Sequence, residues 1–159
     1  MFLRTYRHED KKQLQQLFFD TVHAVNARDY SPEQLDAWAP AEPDRDIWAR
    51  LDQQFCYVVE CQKMLVGFAS ITHDGILDFL YVHKDFQGKG IATALLKQVE
   101  RLARKKRVAK LRAEASITAR GFFEKNGFVI SHENRKILRG QEMLSFIMEK
   151  PLPQSATGR

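Results

Sequence analysis

Cysteine is scarce in this chain. Only Cys56 and Cys61 occur. Five residues apart on one extended run, they point to opposite faces and cannot easily bridge, and they do not form a metal pair. They read as buried thiols of a reducing cytoplasm. The five histidines are scattered and never reach H-x-x-x-H spacing, so no metal site is expected. No apolar run approaches the length of a membrane span, which excludes helical membrane proteins. The opening residues Met1 to Arg7 lack the apolar core of a signal peptide, so a cytoplasmic location is expected. Internal repeats are absent, as is any linker long enough to divide domains. With 159 residues, 44% of them hydrophobic, the expectation is one domain over 1–150, followed by a disordered tail over 151–159.

Charge is unbalanced towards the positive. The formal charge is +5 and the isoelectric point near 9.3. Much of the excess sits in Arg101 to Arg107. A solvated helix end explains it best, because cations there favour the negative pole of the helix dipole. A nucleic-acid patch is the competing reading. Attraction for the phosphates of a nucleotide-bearing ligand is a third, but the run lies at the wrong end of its helix for that.

Hydrophobic spacing lays out the rest. Leu3 to Tyr6 reads as a strand, and Asp10 to about Asn26 as a helix with Leu14, Leu17, Phe18, Val22 and Val25 on one face. Ser31-Pro32 is a cap followed by proline in the first turn, opening a short helix through about Trp38. Asp44 to Gln53 reads as a further helix. Phe55 to Glu60 and Met64 to His73 form a hairpin around Gln62-Lys63. Ile76 to Val82 is a strand, Val108 to Ala115 another, and Phe128 to Ser131 a third. Ile137 to Gly140 leads into the last strand, Met143 to Met148. This order does not alternate strand and helix as a doubly wound fold would.

The most informative segment follows the strand Ile76–Val82. Gly88 and Gly90 lie at the start of a helix that is expected to begin near Lys89, with apolar positions Ile91, Leu95, Val99 and Leu102 recurring on one face. Such a turn aims backbone N–H groups at one point, at the positive end of a helix dipole, and holds a pyrophosphate. The G-x-x-x-x-G-K-[ST] spacing is absent. The G-x-G-x-x-G fingerprint fails for want of its third glycine, with Thr93 in its place, and no acidic residue stands near Lys110 to hold a ribose. What is present is Gln87-Gly88-Lys89-Gly90-Ile91-Ala92, of the form [QR]-x-x-G-x-[GA]. It directly follows Leu80-Tyr81-Val82.

This pattern resembles the acyl-CoA-binding motif of the GNAT acetyltransferase superfamily. Phe122-Phe123-Glu124-Lys125-Asn126-Gly127-Phe128 is similar to that family's second signature, a short helix running into a turn and a strand. Ser116 suits the N-cap of that helix and Gly127 its stop. The resemblance covers roughly residues 55 to 150. It implies an α+β fold with a mixed, mostly antiparallel sheet of six to seven strands and helices on both faces. It implies acetyl-CoA as co-substrate, with no metal, and transfer of the acetyl group to a primary amine of a small molecule. In that family the two parallel central strands, here near 76–82 and 108–115, splay apart. Backbone of Leu80, Tyr81 and Val82 then pairs with the pantetheine arm, while Gln87, Gly88, Lys89, Gly90, Ile91, Ala92 and Thr93 hold the pyrophosphate and Ser116 and Phe123 flank the arm. Neither a nucleic acid nor a membrane is implied as partner, and a homodimer is compatible with the family.

The chemistry needs a base for the amine, donors for the carbonyl oxygen and a proton for the departing thiolate. Asp78 is the first choice of base. Two residues before Leu80, it is expected on the same face, and a carboxylate within an apolar strand is costly unless paired or used. A structural pairing with lysine or arginine, or a role at a bulge, is the competing reading. Glu114 on the neighbouring strand is the second choice, with His73 and His83 behind it. A backbone N–H near Tyr81 is the oxyanion donor that the resemblance implies. Relatives with a tyrosine acid in the second helix differ from this chain, which has Phe123; Tyr81, Ser116 or water are the substitutes. An acidic, aromatic segment at Asp29, Tyr30, Glu33, Asp36 and Trp38 is expected near the acceptor, either as an amine-attracting mouth or as packing. A CoA-binding sensor with little turnover is the alternative to an enzyme.

Overall fold

The computed structural model describes residues 1–153. Seven strands form one sheet: β1 (Phe2–Thr5), β2 (Phe55–Cys61), β3 (Met64–Ile71), β4 (Ile76–Val82), β5 (Lys110–Ser116), β6 (Val129–Leu138) and β7 (Gln141–Pro151). Their order is β1-β2-β3-β4-β5-β7-β6. Only β4 and β5 run parallel; the other neighbours are antiparallel. Five α-helices accompany them: α1 (Lys11–Val25), α2 (Pro32–Trp38), α3 (Arg45–Ala49), α4 (Ile91–Lys105) and α5 (Arg120–Lys125).

Two faces of the sheet carry separate apolar cores. On one, the α4 residues Ile91, Leu95, Leu96 and Val99 pack with Val66, Ile71 and Leu111. On the other, Leu14 and Leu17 of α1 and Trp48 of α3 cover Val58, Phe68 and Phe79. A third cluster ties Val22, Tyr30 and Leu35 to Met143 of β7, which seats α2 against the end of the sheet. Cys56 and Cys61 are free and fall on opposite sides of β2, in the second and first cores. Burial pushes the Cys56 thiol up to about 12, with the charges of Asp10 and Asp52 adding to it, so it stays protonated and unreactive.

Several boundaries differ from expectation. β7 spans Gln141–Pro151, beyond the expected Met143 to Met148, and β6 is one strand over Val129–Leu138, where hydrophobic spacing marked only its ends. Its middle, Ser131 to Lys136, is mostly exposed and polar, so no apolar pattern announced it. The helix expected over Asp44 to Gln53 is α3 followed by a 3₁₀ turn at Arg50–Gln53. The tail expected to be disordered from Pro151 begins in the fold. Pro151 ends β7, Leu152 is buried, and the Leu152 amide donates to Ala109 O at 2.8 Å. The remainder of that stretch, 154–159, lies outside the described residues.

One glycine sets the geometry between the parallel strands. Gly75, just before β4, has φ +96°, and a Cβ there would sit 2.6 Å from the Lys110 carbonyl oxygen. Its own carbonyl accepts from the Arg112 amide at 2.9 Å, which opens the β4–β5 pairing. Gly75→Ala combines left-handed strain with an immovable backbone clash and should cost about 2–4 kcal/mol. Urea unfolding checks this: the midpoint should fall with the slope unchanged.

The start of α1 is tied to the 3₁₀ turn at Arg50–Gln53 through Asp52. Asp52 accepts from Tyr6, His8 and Lys11. Burial raises its pKa, yet those hydrogen bonds outweigh burial and hold it at about 2. A carboxyl depressed by folding stabilises above its unfolded pKa and loses that effect as pH falls through the folded value. Asp52→Asn should therefore lower the melting temperature at pH 7, and the difference from wild type should vanish as pH approaches 2.

Candidate active site

The site begins where the sheet divides. β4 and β5 are in register only at Ile76–Arg112 and Leu77–Ala113, after which they part. Beyond that point one edge of β4 has no strand beside it. The His83 amide donates to Val66 O at 2.8 Å, and Val82 lies opposite Gly67. In an antiparallel ladder alternate residues turn their peptide groups to opposite sides. Phe79, Tyr81 and His83 therefore bond β3, and Leu80 and Val82 turn theirs into the gap. The Val82 carbonyl is met there by Thr21 Oγ1 at 3.0 Å and Gln87 Nε2 at 2.7 Å. Of the backbone N–H groups near Tyr81, that of Tyr81 itself belongs to the β3 ladder, and those of Leu80 and Val82 face the gap.

The turn after β4 is built as a cradle. Gln87 braces it by reaching back to β4. Gly88 and Gly90 have φ +71° and +81°, and a Cβ on either would meet open space. Helix α4 starts at Ile91, two residues later than expected, with left-handed Gly90 as its N-cap and no side chain capping it. The Ile91, Ala92 and Thr93 amides have no acceptor within the helix. They point out of its positive end, beside an open surface. Lys89 is exposed alongside. This set fits a diphosphate. The basic run at Arg101–Arg107 lies at the far end of α4 and takes no part.

A cavity of ≈ 320 Å³ runs from this cradle into the gap, past Leu80, Val82, Ser116 and Phe123. Ser116 is not the N-cap of α5. It ends β5, and its Oγ accepts from the Ala119 amide at 3.0 Å, fixing the turn before the helix. Asn26 Nδ2 lies 3.5 Å from the same oxygen. The Phe123 ring is buried edge-to-face against Phe122 and Phe128, so no hydroxyl projects from that position.

A second cavity, ≈ 780 Å³, lies under α1, α2, α3 and the β6–β7 hairpin. The two cavities share Trp38, Leu77, Asp78, Tyr81, Glu114 and Ser116. The three side chains expected to carry chemistry, Asp78, Tyr81 and Glu114, thus stand at one junction. The route by which Asp78 arrives there differs from expectation. Ser70 pairs with Phe79 and Ile71 with Leu77, so Asp78 is the extra residue of a β-bulge. The bulge turns it away from the face of Leu80 and towards that of Phe79 and Tyr81. Its Oδ2 accepts from Gln54 Nε2 at 2.8 Å and pairs with Arg50 Nε at 3.2 Å.

Glu114 accepts from Ser145 Oγ at 2.7 Å and pairs with Lys136 Nζ at 2.8 Å. Burial pushes its carboxyl up, but Lys136, Ser145 and Asn134 outweigh this and hold it below the usual glutamate range. Burial drives the Tyr81 phenol well above the ordinary tyrosine value, partly offset by a hydrogen bond from the Trp38 indole. The two histidines lie elsewhere. His83 Nδ1 accepts from the Asp85 amide, and His73 packs on Phe55.

Sequence reasoning missed Gln54, Arg50, Lys136 and Ser145. They come from a 3₁₀ turn and a hairpin remote in sequence, and no local spacing joins them to Asp78 or Glu114. Of the acidic segment, Tyr30 and Trp38 line the larger cavity. Asp29 instead accepts from Thr118 Oγ1 at 2.7 Å, while Glu33 and Asp36 are exposed outside it.

A split sheet, a glycine cradle at a helix start and an adjoining side cavity define an acyltransferase that takes its acyl group from a CoA thioester. Comparison with known proteins agrees. Residues 26–150 match the family described as an acetyltransferase (GNAT) domain. The chain is 34% identical over 148 residues to an uncharacterized N-acetyltransferase YafP of Escherichia coli (strain K12), covering 92% of this chain and 93% of that protein. A crystal structure from Rhodopseudomonas palustris, described as a GCN5-related N-acetyltransferase (aminotransferase, class-II), superimposes with TM-score 0.90 at 35% identity over 95% of both chains. The fold is shared with the PaiA N-acetyltransferase of Thermoplasma acidophilum in complex with coenzyme A (TM-score 0.71, 22% identity, 95% of this chain and 99% of that one). The chain belongs to the GNAT family and is an acetyl-CoA-dependent N-acetyltransferase. Among the described residues, no helix is long and apolar enough to cross a membrane.

Gly90→Glu should abolish coenzyme A binding in calorimetry, because it adds bulk and negative charge to the cradle that fits a diphosphate. Gly90→Ala, which adds only a methyl group and left-handed strain of about 1–2 kcal/mol, should weaken binding less. Retained affinity in Gly90→Glu would move the cradle elsewhere.

Proposed function

We propose that the enzyme acetylates a primary amine of a small molecule held in the larger cavity, with Asp78 as general base. The single observation that carries this is the meeting of the two cavities at Asp78, Tyr81, Glu114 and Ser116. The acetyl donor enters along the gap between β4 and β5, and the acceptor enters from the side of α1 to α3. The reacting groups then meet at the bulge.

The two carboxylates are suited to different tasks. Glu114 has its ionised form favoured by Lys136 and Ser145, which makes it a poor proton acceptor and a good hydrogen-bond anchor for an ammonium group. Both bonds to Asp78 fall on Oδ2, and Oδ1 is the oxygen that accepts the proton from the amine. Gln54 and Arg50 hold the carboxylate in one orientation, as a base must be held. The Leu80 and Val82 amides, turned into the gap, are the donors for charge that develops on the carbonyl oxygen.

The departing thiolate finds no tyrosine at Phe123. Ser116 and Tyr81 carry hydroxyls that line both cavities, and a CoA thiol is acidic enough to leave without strong assistance. Acetyl-CoA supplies an activated acetyl group; the chain supplies position, donors and a base.

Thiol release over a panel of amines tests the reaction. Asp78→Asn should lower kcat by about 10²-fold or more, with coenzyme A affinity within twofold of wild type by calorimetry. A normal kcat would make Asp78 purely structural. Phe123→Tyr should fold and keep kcat at or above the wild-type value.

A further inference from the structure

The larger cavity has an unusual balance of charge and surface. Its inward carboxylates are already matched to cations. Asp44 pairs with Arg139 at 2.8 Å, Asp78 with Arg50 at 3.2 Å and Glu114 with Lys136 at 2.8 Å. The remaining charges on its lining, Lys12 and Glu42, are exposed and opposite in sign. The cavity therefore offers no excess negative field to gather a polycation.

What it offers instead is apolar wall. Phe18, Phe19, Trp38, Ile47, Tyr81 and Leu138 all line it and all remain partly open. The rings are fixed by one another. Phe18 stands edge-on to Tyr81 at 4.8 Å and to Trp48 at 5.4 Å, and Trp38 stands edge-on to Tyr30 at 5.3 Å. Rings that are pre-ordered and half exposed favour a planar apolar guest, since edge and face contacts add to the burial of area. At ≈ 780 Å³ the space admits such a guest with its amine directed to the bulge.

We infer that the acceptor is a monoamine carried on an aromatic body, and that Trp38 is a specificity-determining residue that seats the ring. This rests on the assignment of the larger cavity as the acceptor site. Polyamines and aminoglycosides, with several ammonium groups and little apolar surface, would leave the walls wet and, beyond the one ammonium that Glu114 anchors, find the carboxylates matched to cations.

The test measures thiol release at saturating acetyl-CoA with phenethylamine, spermidine and kanamycin. Ring-proton saturation-transfer NMR of phenethylamine on the coenzyme A-loaded protein gives a second readout. The expected kcat/KM for phenethylamine exceeds the other two by at least about tenfold. Trp38→Ala should lower it about tenfold, mainly through KM, and Trp38→Phe should restore most of the loss. Equal or better turnover of spermidine or kanamycin, or indifference to Trp38→Ala, overturns the inference while leaving the transferase reading intact. If none of the three amines turns over, saturation transfer that is present in wild type and lost in Trp38→Ala upholds the aromatic site and counts against its role as acceptor site. Absence of saturation transfer in wild type overturns the inference.

Discussion

Two central strands stay paired for two residues and then separate, and the rest of the site depends on that parting. It converts one side of β4 from a ladder into a row of open backbone groups. Gly75 opens the pairing and has no room for a Cβ against Lys110. A few residues on, the bulge at Asp78 reverses the side-chain alternation. A single extra residue flips every side chain that follows it relative to the neighbouring strand. The strand can therefore place a carboxylate beside Tyr81 while its backbone still offers Leu80 and Val82 to the gap.

The helices complete what the sheet starts, each by a different physical device. Helix α4 supplies a positive pole and three uncommitted amides, presented by a left-handed glycine. Helix α1 contributes Thr21, whose hydroxyl meets the Val82 carbonyl, so the base of the gap carries no orphaned acceptor. Helix α2 docks through Tyr30, whose phenol donates to Leu144 O and accepts from the Ile117 amide. That one hydroxyl joins β7, the end of β5 and the wall of the acceptor cavity. Thus the donor and acceptor compartments are held in fixed relation by hydrogen bonds rather than by apolar packing alone.

The donor compartment was legible in the sequence and the acceptor compartment was not, for physical reasons. Gln87 to Thr93 forms its cradle from consecutive residues, so glycine placement and helical periodicity suffice to find it. Asp78 stood out as a charge in an apolar strand, but the bulge that aims it depends on its register with β3, which no local pattern encodes. Glu114 was found on its strand, whereas its partners Lys136 and Ser145 lie across the sheet in a hairpin whose polar middle looks like loop. The acidic segment after α1 admits two readings in sequence, mouth or packing, because helix-start carboxylates and cavity-lining carboxylates have the same composition. Ser116 shows the same limit: a serine before a helix suggests a cap, and only the turn at Ile117–Ala119 shows that it closes a different hydrogen bond.

The uncovered margin of β4 has a bearing on how the molecule behaves in a crowded solution. An unpaired strand flank normally invites a neighbouring polypeptide to add itself, with clumping as the outcome. Here that flank lies at the bottom of a furrow between β5 and the start of α4, with Gln87 and Thr21 already occupying its last carbonyl. The space left there, ≈ 320 Å³, suits a slender tether better than an added β-strand with its side chains. The same recess that would admit the donor's arm thereby keeps the open flank of β4 away from a second polypeptide.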